Sequence, residues 1–80
     1  MSAAPQRTFF DDVVEASGLA PLVAPFTITR LLIRAGVTPT AVDPLGLRQA
    51  LPELERGLAV YLTPEQLDAA VGRLRGLAAL

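Results

Sequence analysis

Apolar residues recur at intervals of three and four along most of the chain, which is the spacing of one face of an α-helix. In the first such segment, Phe9, Phe10, Val13 and Val14 form an apolar stripe, and acidic residues occupy the other side. The pattern predicts an all-α fold. We expect a compact bundle of four main helices, over residues 9–17, 26–35, 44–62 and 64–79.

Residues that favour helix ends bound these segments. Thr8 and Thr63 are N-cap residues, and Gln66 completes a capping box with Thr63. Gly18 and Gly36 follow the first and second segments, and glycine readily adopts the left-handed conformation that ends a helix. These signals set the predicted boundaries of the first, second and fourth helices.

The third predicted helix carries a leucine seam that a proline interrupts. Its apolar residues are separated by four, three, four and three positions, like the a and d positions of a coiled coil. Pro52 lies inside this pattern and removes one backbone hydrogen bond. Because the seam keeps its phase across Pro52, we predict one helix kinked there rather than two helices. The seam consists of Leu47, Leu51, Leu54, Leu58 and Tyr61.

The fourth predicted helix is apolar on two sides. We expect the side with Leu67, Val71, Leu74 and Ala78 to be buried. The opposite side contains two glycines, each of which costs about 1 kcal/mol in a helix interior, so we expect a second helix to approach it closely. With the leucine seam in the core, this side becomes the predicted interface, although the reverse assignment is also compatible with the sequence. The interface candidates are Ala69, Gly72, Gly76 and Leu80.

The composition leaves few charges to cover the surface. Of 80 residues, 51% are hydrophobic and 19% are charged, whereas charged residues usually make up about 25%. A domain of this size buries only about 60% of the surface of its unfolded chain. We expect a disordered N-terminus over residues 1–7 and one small helical domain over residues 8–80. Its exposed apolar surface favours a homo-oligomer, such as a dimer, or an adaptor that binds another protein.

The absence of some residue types argues against several kinds of chemistry. The chain has no cysteine and no histidine, so thiol chemistry and the commonest general base are missing. We therefore expect no enzyme activity, no catalytic residue, no cofactor and no small-molecule substrate. An acidic group, Asp11, Asp12 and Glu15, is explained by the helix macrodipole rather than by a metal site. Without a targeting signal or an apolar span of about 20 residues, we expect a cytoplasmic protein that makes no membrane contact.

Two arginines in the second helix are the best candidates in the sequence for a binding site. Arg30 and Arg34 share a helix face with Thr27. Together, the three side chains could bind a phosphate or the carboxylate of a partner. Alternatively, the arginines pair with the acidic group of the first helix, which is the interpretation that we favour.

Two stretches resemble DNA-binding families. Residues 35–42, AGVTPTAV, resemble the turn of LacI-type helix-turn-helix domains, which implies a recognition helix from Thr38. Residues 24–36 and 63–71, APFTITRLLIRAG and TPEQLDAAV, resemble the first and last helices of archaeal histones, which implies a handshake dimer. A helix from Thr38 would meet Pro44 within two turns, and a net charge of −1 provides no net attraction for phosphates. We therefore predict a protein–protein interaction module, with a small DNA-associated regulator as the alternative.

Overall fold

The computed structural model describes residues 7–80, and all regular structure in that range is helical. The predicted all-α bundle of four helices is confirmed. The predicted disorder at the N-terminus falls outside the described residues, apart from Arg7, which contacts α1. The elements are α1 (Phe9–Ala16), α2 (Ala24–Arg34), a short 3-10 turn (Pro39–Ala41), α3 (Pro44–Leu58) and α4 (Pro64–Ala78).

The four helices enclose one hydrophobic core. Both α1 and α3 pack against α2 and against α4, so that the last helix closes the bundle on the first. The leucine seam of α3 supplies the centre of this core, because Leu47, Leu54 and Leu58 are fully buried. The other fully buried large apolar residues are Val13 of α1, Ile28 and Leu32 of α2, and Leu74 of α4.

Local capping chemistry determines most helix ends, as predicted. The Thr8 hydroxyl accepts a hydrogen bond from the backbone N–H of Asp11, and the carboxylate of Asp11 accepts one from the N–H of Thr8. Thr63 and Gln66 form the same reciprocal pair at the start of α4. Gly36 has a φ of 81°, a left-handed conformation that glycine adopts without a steric penalty.

Two predicted boundaries are wrong by more than one residue. Helix α2 begins at Ala24 rather than at residue 26, because Pro25 lies in the first turn, where a proline removes no helical hydrogen bond. Helix α3 continues through Pro52 as predicted, but it ends at Leu58 rather than at residue 62. The carbonyl of Leu58 accepts hydrogen bonds from the N–H groups of Tyr61 and Leu62. The chain therefore turns toward α4, and Tyr61 is exposed outside the seam.

Two arginines bind the C-terminal ends of neighbouring helices. The guanidinium of Arg73 in α4 donates to the carbonyl of Ala16, the last residue of α1, at 3.1 Å. That of Arg48 in α3 donates to the carbonyl of Ala78, the last residue of α4, at 3.2 Å. Each bond satisfies a carbonyl at a helix end and brings a positive charge to the negative end of the macrodipole. These contacts link α4 to α1 and α3 to α4.

None of the helices in residues 7–80 combines the length and the apolar character that crossing a bilayer would require.

Candidate functional site

The predicted interface residues of α4 lie on the surface. Ala69, Gly72, Gly76 and Leu80 are all exposed, and we call them the α4 outer face. A Cβ atom added to either glycine would meet no atom of the described chain within 4 Å. The opposite side of α4 is buried in the bundle. The leucine seam is therefore in the core, as we favoured from the sequence, and the glycine side is exposed. That the glycine side is an interface stays a prediction.

Helix α2 exposes large apolar residues on the side opposite its core face. Phe26 and Ile33 are 75% and 60% exposed, and their separation of seven residues places them one above the other on the helix. Leu22, in the turn that precedes α2, is 87% exposed. We call this surface the α2 outer face and define it by Leu22, Phe26, Arg30, Ile33 and Arg34.

An apolar groove borders one edge of the α2 outer face. Its volume is about 570 Å³, and α1, α2 and the 3-10 turn form its walls. Ile33 belongs to both the groove and the α2 outer face, so the two surfaces are continuous. The other main lining residues are Phe9, Phe10, Thr29, Pro39 and Thr40.

A smaller depression, the arginine pocket, borders the other edge of the α2 outer face. It has a volume of about 100 Å³ and brings together the predicted group Thr27, Arg30 and Arg34. Two further residues, Val60 and Tyr61, come from the connection between α3 and α4. Neither residue belongs to the predicted group, because the predicted third helix extends over this connection and Tyr61 fits the spacing of the seam. Leu31 and Gly57 complete the lining.

Gly57 allows α2 and α3 to approach each other beneath the arginine pocket. A Cβ atom at this position would overlap the side chain of Leu31, with Cδ1 only 2.7 Å away. Leu31 itself is buried in the core. Thus Gly57 permits a close helix contact within the chain. The sequence indicated a close helix approach only at the glycines of α4, as part of a predicted interface.

The favoured pairing of Arg30 and Arg34 with the acidic group of α1 is wrong. Arg7 instead binds Asp12 at 2.9 Å and Glu15 at 3.0 Å. These hydrogen bonds raise the pKa of Arg7, and the bond to Asp12 contributes most. Arg7 lies two residues before the start of α1 and therefore reaches the acidic residues of that helix directly. Within residues 7–80, Arg30 and Arg34 make no side-chain hydrogen bond or ion pair.

The acidic residues and the buried serine of the described chain do not form a reactive site. In the part of the chain that the structure describes, no group of three or more His, Cys, Asp or Glu side chains could hold a metal ion. Ser17 is fully buried; its hydroxyl donates to the carbonyl of Val14 at 2.6 Å and accepts from the N–H of Leu19 at 3.3 Å. This hydroxyl therefore serves the end of α1.

The stretch that resembles a helix-turn-helix turn forms a corner between α2 and α3. The N–H of Val37 donates to the carbonyl of Leu32, and that of Gly36 donates to the carbonyl of Ile33, which is a Schellman ending. The 3-10 turn follows, and its N-cap residue Thr38 makes no side-chain capping bond. A helix from Thr38, which the resemblance implies, does not form.

Two outward surfaces thus remain as candidate sites. The α2 outer face presents large apolar side chains and two arginines, whereas the α4 outer face presents mainly small residues.

Comparison of the chain with protein-family models, with curated proteins and with solved structures finds no match.

Proposed function

We propose that this protein is a non-enzymatic interaction module that binds another protein through the α2 outer face. The observation that carries the proposal is the exposure of Phe26 and Ile33 at the centre of one helix face. Burying a phenylalanine or isoleucine side chain contributes roughly 1.5–3 kcal/mol. A partner that covers both side chains would therefore gain a large part of the free energy of a specific complex.

The continuity of the apolar surface supports this proposal. Single exposed apolar residues are common on protein surfaces, whereas contiguous apolar surfaces often mark interaction sites. Leu22, in the turn that precedes α2, is exposed like Phe26. Ile33 extends the same surface into the apolar groove. A partner could therefore contact α2 and insert a side chain between α1 and the 3-10 turn.

The proposal is tested by capturing partners with matched baits. The protein and its Phe26→Ser/Ile33→Ser variant are immobilised and exposed to lysate from the cells that produce the protein. A Leu45→Ser variant serves as control, because Leu45 is also large, apolar and exposed but lies on α3, outside both outer faces. We expect a protein that the original chain and the control retain and that the α2 variant loses.

Equal capture by all three baits would overturn the proposal, and so would capture that only the control variant loses. Circular dichroism establishes beforehand that the three baits have the same helical content. Because Leu45→Ser also removes a large exposed apolar side chain, a general decrease in the apolar surface would affect the control as well.

A second candidate function is self-association through the α4 outer face. The observation that favours it is the placement of Gly72 and Gly76 at interior helix positions where no side chain of the described chain packs on them. Two such glycines would let the backbone of a second α4 approach closely. Light scattering over a range of concentrations tests this candidate: a dimer is expected, and Gly76→Leu should dissociate it without loss of helix. A monomer at all concentrations would remove it.

A further inference from the structure

The α2 outer face is cationic along one edge, which indicates the chemistry of its partner. The chain has seven basic residues, all arginines. Arg7, Arg48, Arg73 and Arg75 bind carboxylates or helix-end carbonyls of the chain itself. In the described range, Arg30 and Arg34 make no such bond, and both line the arginine pocket.

We infer that the partner presents aspartate or glutamate side chains to Arg30 and Arg34 while its apolar residues cover Phe26 and Ile33. This inference rests on the proposed function. Arg30 and Arg34 are four residues apart and therefore adjacent on α2. Their like charges repel each other slightly in the unbound protein. A carboxylate between them would remove that repulsion and accept charge-assisted hydrogen bonds from both guanidinium groups.

The size of the arginine pocket favours a side-chain carboxylate over a separate small ligand. Its volume is about 100 Å³, whereas sites for small molecules usually measure roughly 300–1,000 Å³. Thr27 is buried at one side of the pocket, and Tyr61 is exposed at another. Both residues carry hydroxyl groups that can donate a hydrogen bond to a carboxylate. The pocket therefore suits the end of one acidic side chain beside an apolar contact.

Charge also argues against a second copy of this chain as the partner. In a two-fold symmetric contact, each surface patch meets the same patch of the other copy. A dimer through the α2 outer face would thus bring the four arginines of two copies together. An acidic segment of a different protein matches the surface better.

The inference is tested with selected peptides. A displayed library of random peptides about 15 residues long, which is enough for a marginal helix, is enriched for binding to the protein. We expect the retained peptides to combine leucine or phenylalanine with Asp or Glu residues spaced three or four apart. Dissociation constants are then measured by fluorescence anisotropy for the protein and its variants.

The variants distinguish failure of this inference from failure of the proposed function. We expect Arg30→Ala/Arg34→Ala to weaken peptide binding at least about tenfold, as loss of charge-assisted hydrogen bonds implies, and Phe26→Ser/Ile33→Ser to weaken it similarly. If only the apolar variant weakens binding, the surface is a docking site but the partner is not acidic, and the inference is overturned. If the apolar variant binds as well as the original chain, the proposed function itself fails.

Two controls separate a specific contact from general charge. Arg56 is exposed on α3 and has no bonded partner in residues 7–80, so Arg56→Ala removes one charge outside the surface. It should leave peptide affinity unchanged, whereas Arg34→Ala should reduce it; equal losses would overturn the inference.

A DNA duplex of about 20 base pairs is tested at low salt, where phosphate contacts are strongest. Duplex binding that Arg30→Ala/Arg34→Ala abolishes would overturn the inference in favour of a nucleic-acid partner.

Discussion

The outer faces of α2 and α4 differ in what they present, although the two helices contribute alike to the core. Each helix buries one side, with Ile28 and Leu74 among the fully buried residues. Outside, α2 exposes Phe26 and Ile33, whereas α4 exposes Gly72 and Gly76. Large apolar side chains offer area to a partner, while glycines offer only a close backbone approach. An exposed apolar helix side can therefore offer a partner either contact area or a close backbone approach, depending on the size of its residues.

The arginines of α2 and α4 also differ in whether they bind other residues of the chain. On α4, Arg73 binds the end of α1 and Arg75 binds Glu55 at 3.3 Å, so its basic residues serve the bundle. On α2, Arg30 and Arg34 have no bonded partner among residues 7–80. Among residues 7–80, large exposed apolar side chains and arginines without a bonded partner thus occur together on α2 but not on α4. We therefore give α2 the main proposed role and retain α4 as the second candidate.

Among the glycines, the largest expected effect concerns Gly57, beneath the arginine pocket. Gly57→Ala should lower the free energy of unfolding by about 1–3 kcal/mol, because the new methyl group overlaps Leu31 in a packed core. The overlap outweighs the gain of about 1 kcal/mol that alanine brings to a helix interior. Chemical denaturation followed by circular dichroism measures the difference.

A double-mutant cycle tests the cause of that loss. Leu31→Ala should itself be destabilising by about 2–5 kcal/mol, because it leaves a cavity. In the Leu31→Ala background, however, Gly57→Ala should no longer destabilise, since the overlapping atoms are gone. An equal loss in both backgrounds would mean that the close approach of α2 and α3 does not involve this pair.

The glycines of α4 should respond in the opposite direction. Gly72→Ala and Gly76→Ala should each raise the free energy of unfolding by up to about 1 kcal/mol, because nothing in the described chain lies where the new methyl groups would be. Thermal and chemical denaturation of a dilute sample measure the gain. A loss of stability at concentrations where the protein is monomeric would show that the α4 outer face is packed, and would break the contrast with Gly57.

The sequence predicts best those features that local chemistry controls. Thr8 and Thr63 begin helices because their hydroxyl groups satisfy nearby N–H groups, and Gly36 ends one because it adopts a positive φ. The end of α3 depends instead on where α4 packs. Tyr61 keeps the phase of the seam, but the chain turns after Leu58, and no local residue marks that turn.

The candidate site was predictable only in part, for a similar reason. Thr27, Arg30 and Arg34 belong to one helix, so their spacing was sufficient to group them. Val60 and Tyr61 join them through tertiary packing, which the spacing does not contain. The predicted pairing of Arg30 and Arg34 with the acidic group of α1 is wrong because Arg7, which lies much closer along the chain, binds those acids. The exposure of Phe26 was visible from its position opposite Ile28, but the arginines beside it made that side resemble an ordinary polar face.

The smallest expected effect tests whether the apolar residues of the α2 outer face serve the fold at all. Phe26→Ser/Ile33→Ser should change the free energy of unfolding by less than about 0.5 kcal/mol per residue, as expected for surface positions, because serine has a helix propensity close to that of both residues. Leu32→Ser is the matched control on the same helix. It should destabilise the protein severely, because Leu32 is fully buried. If the α2 variant loses as much stability as this control, Phe26 and Ile33 support the bundle, and their exposure would no longer require a partner.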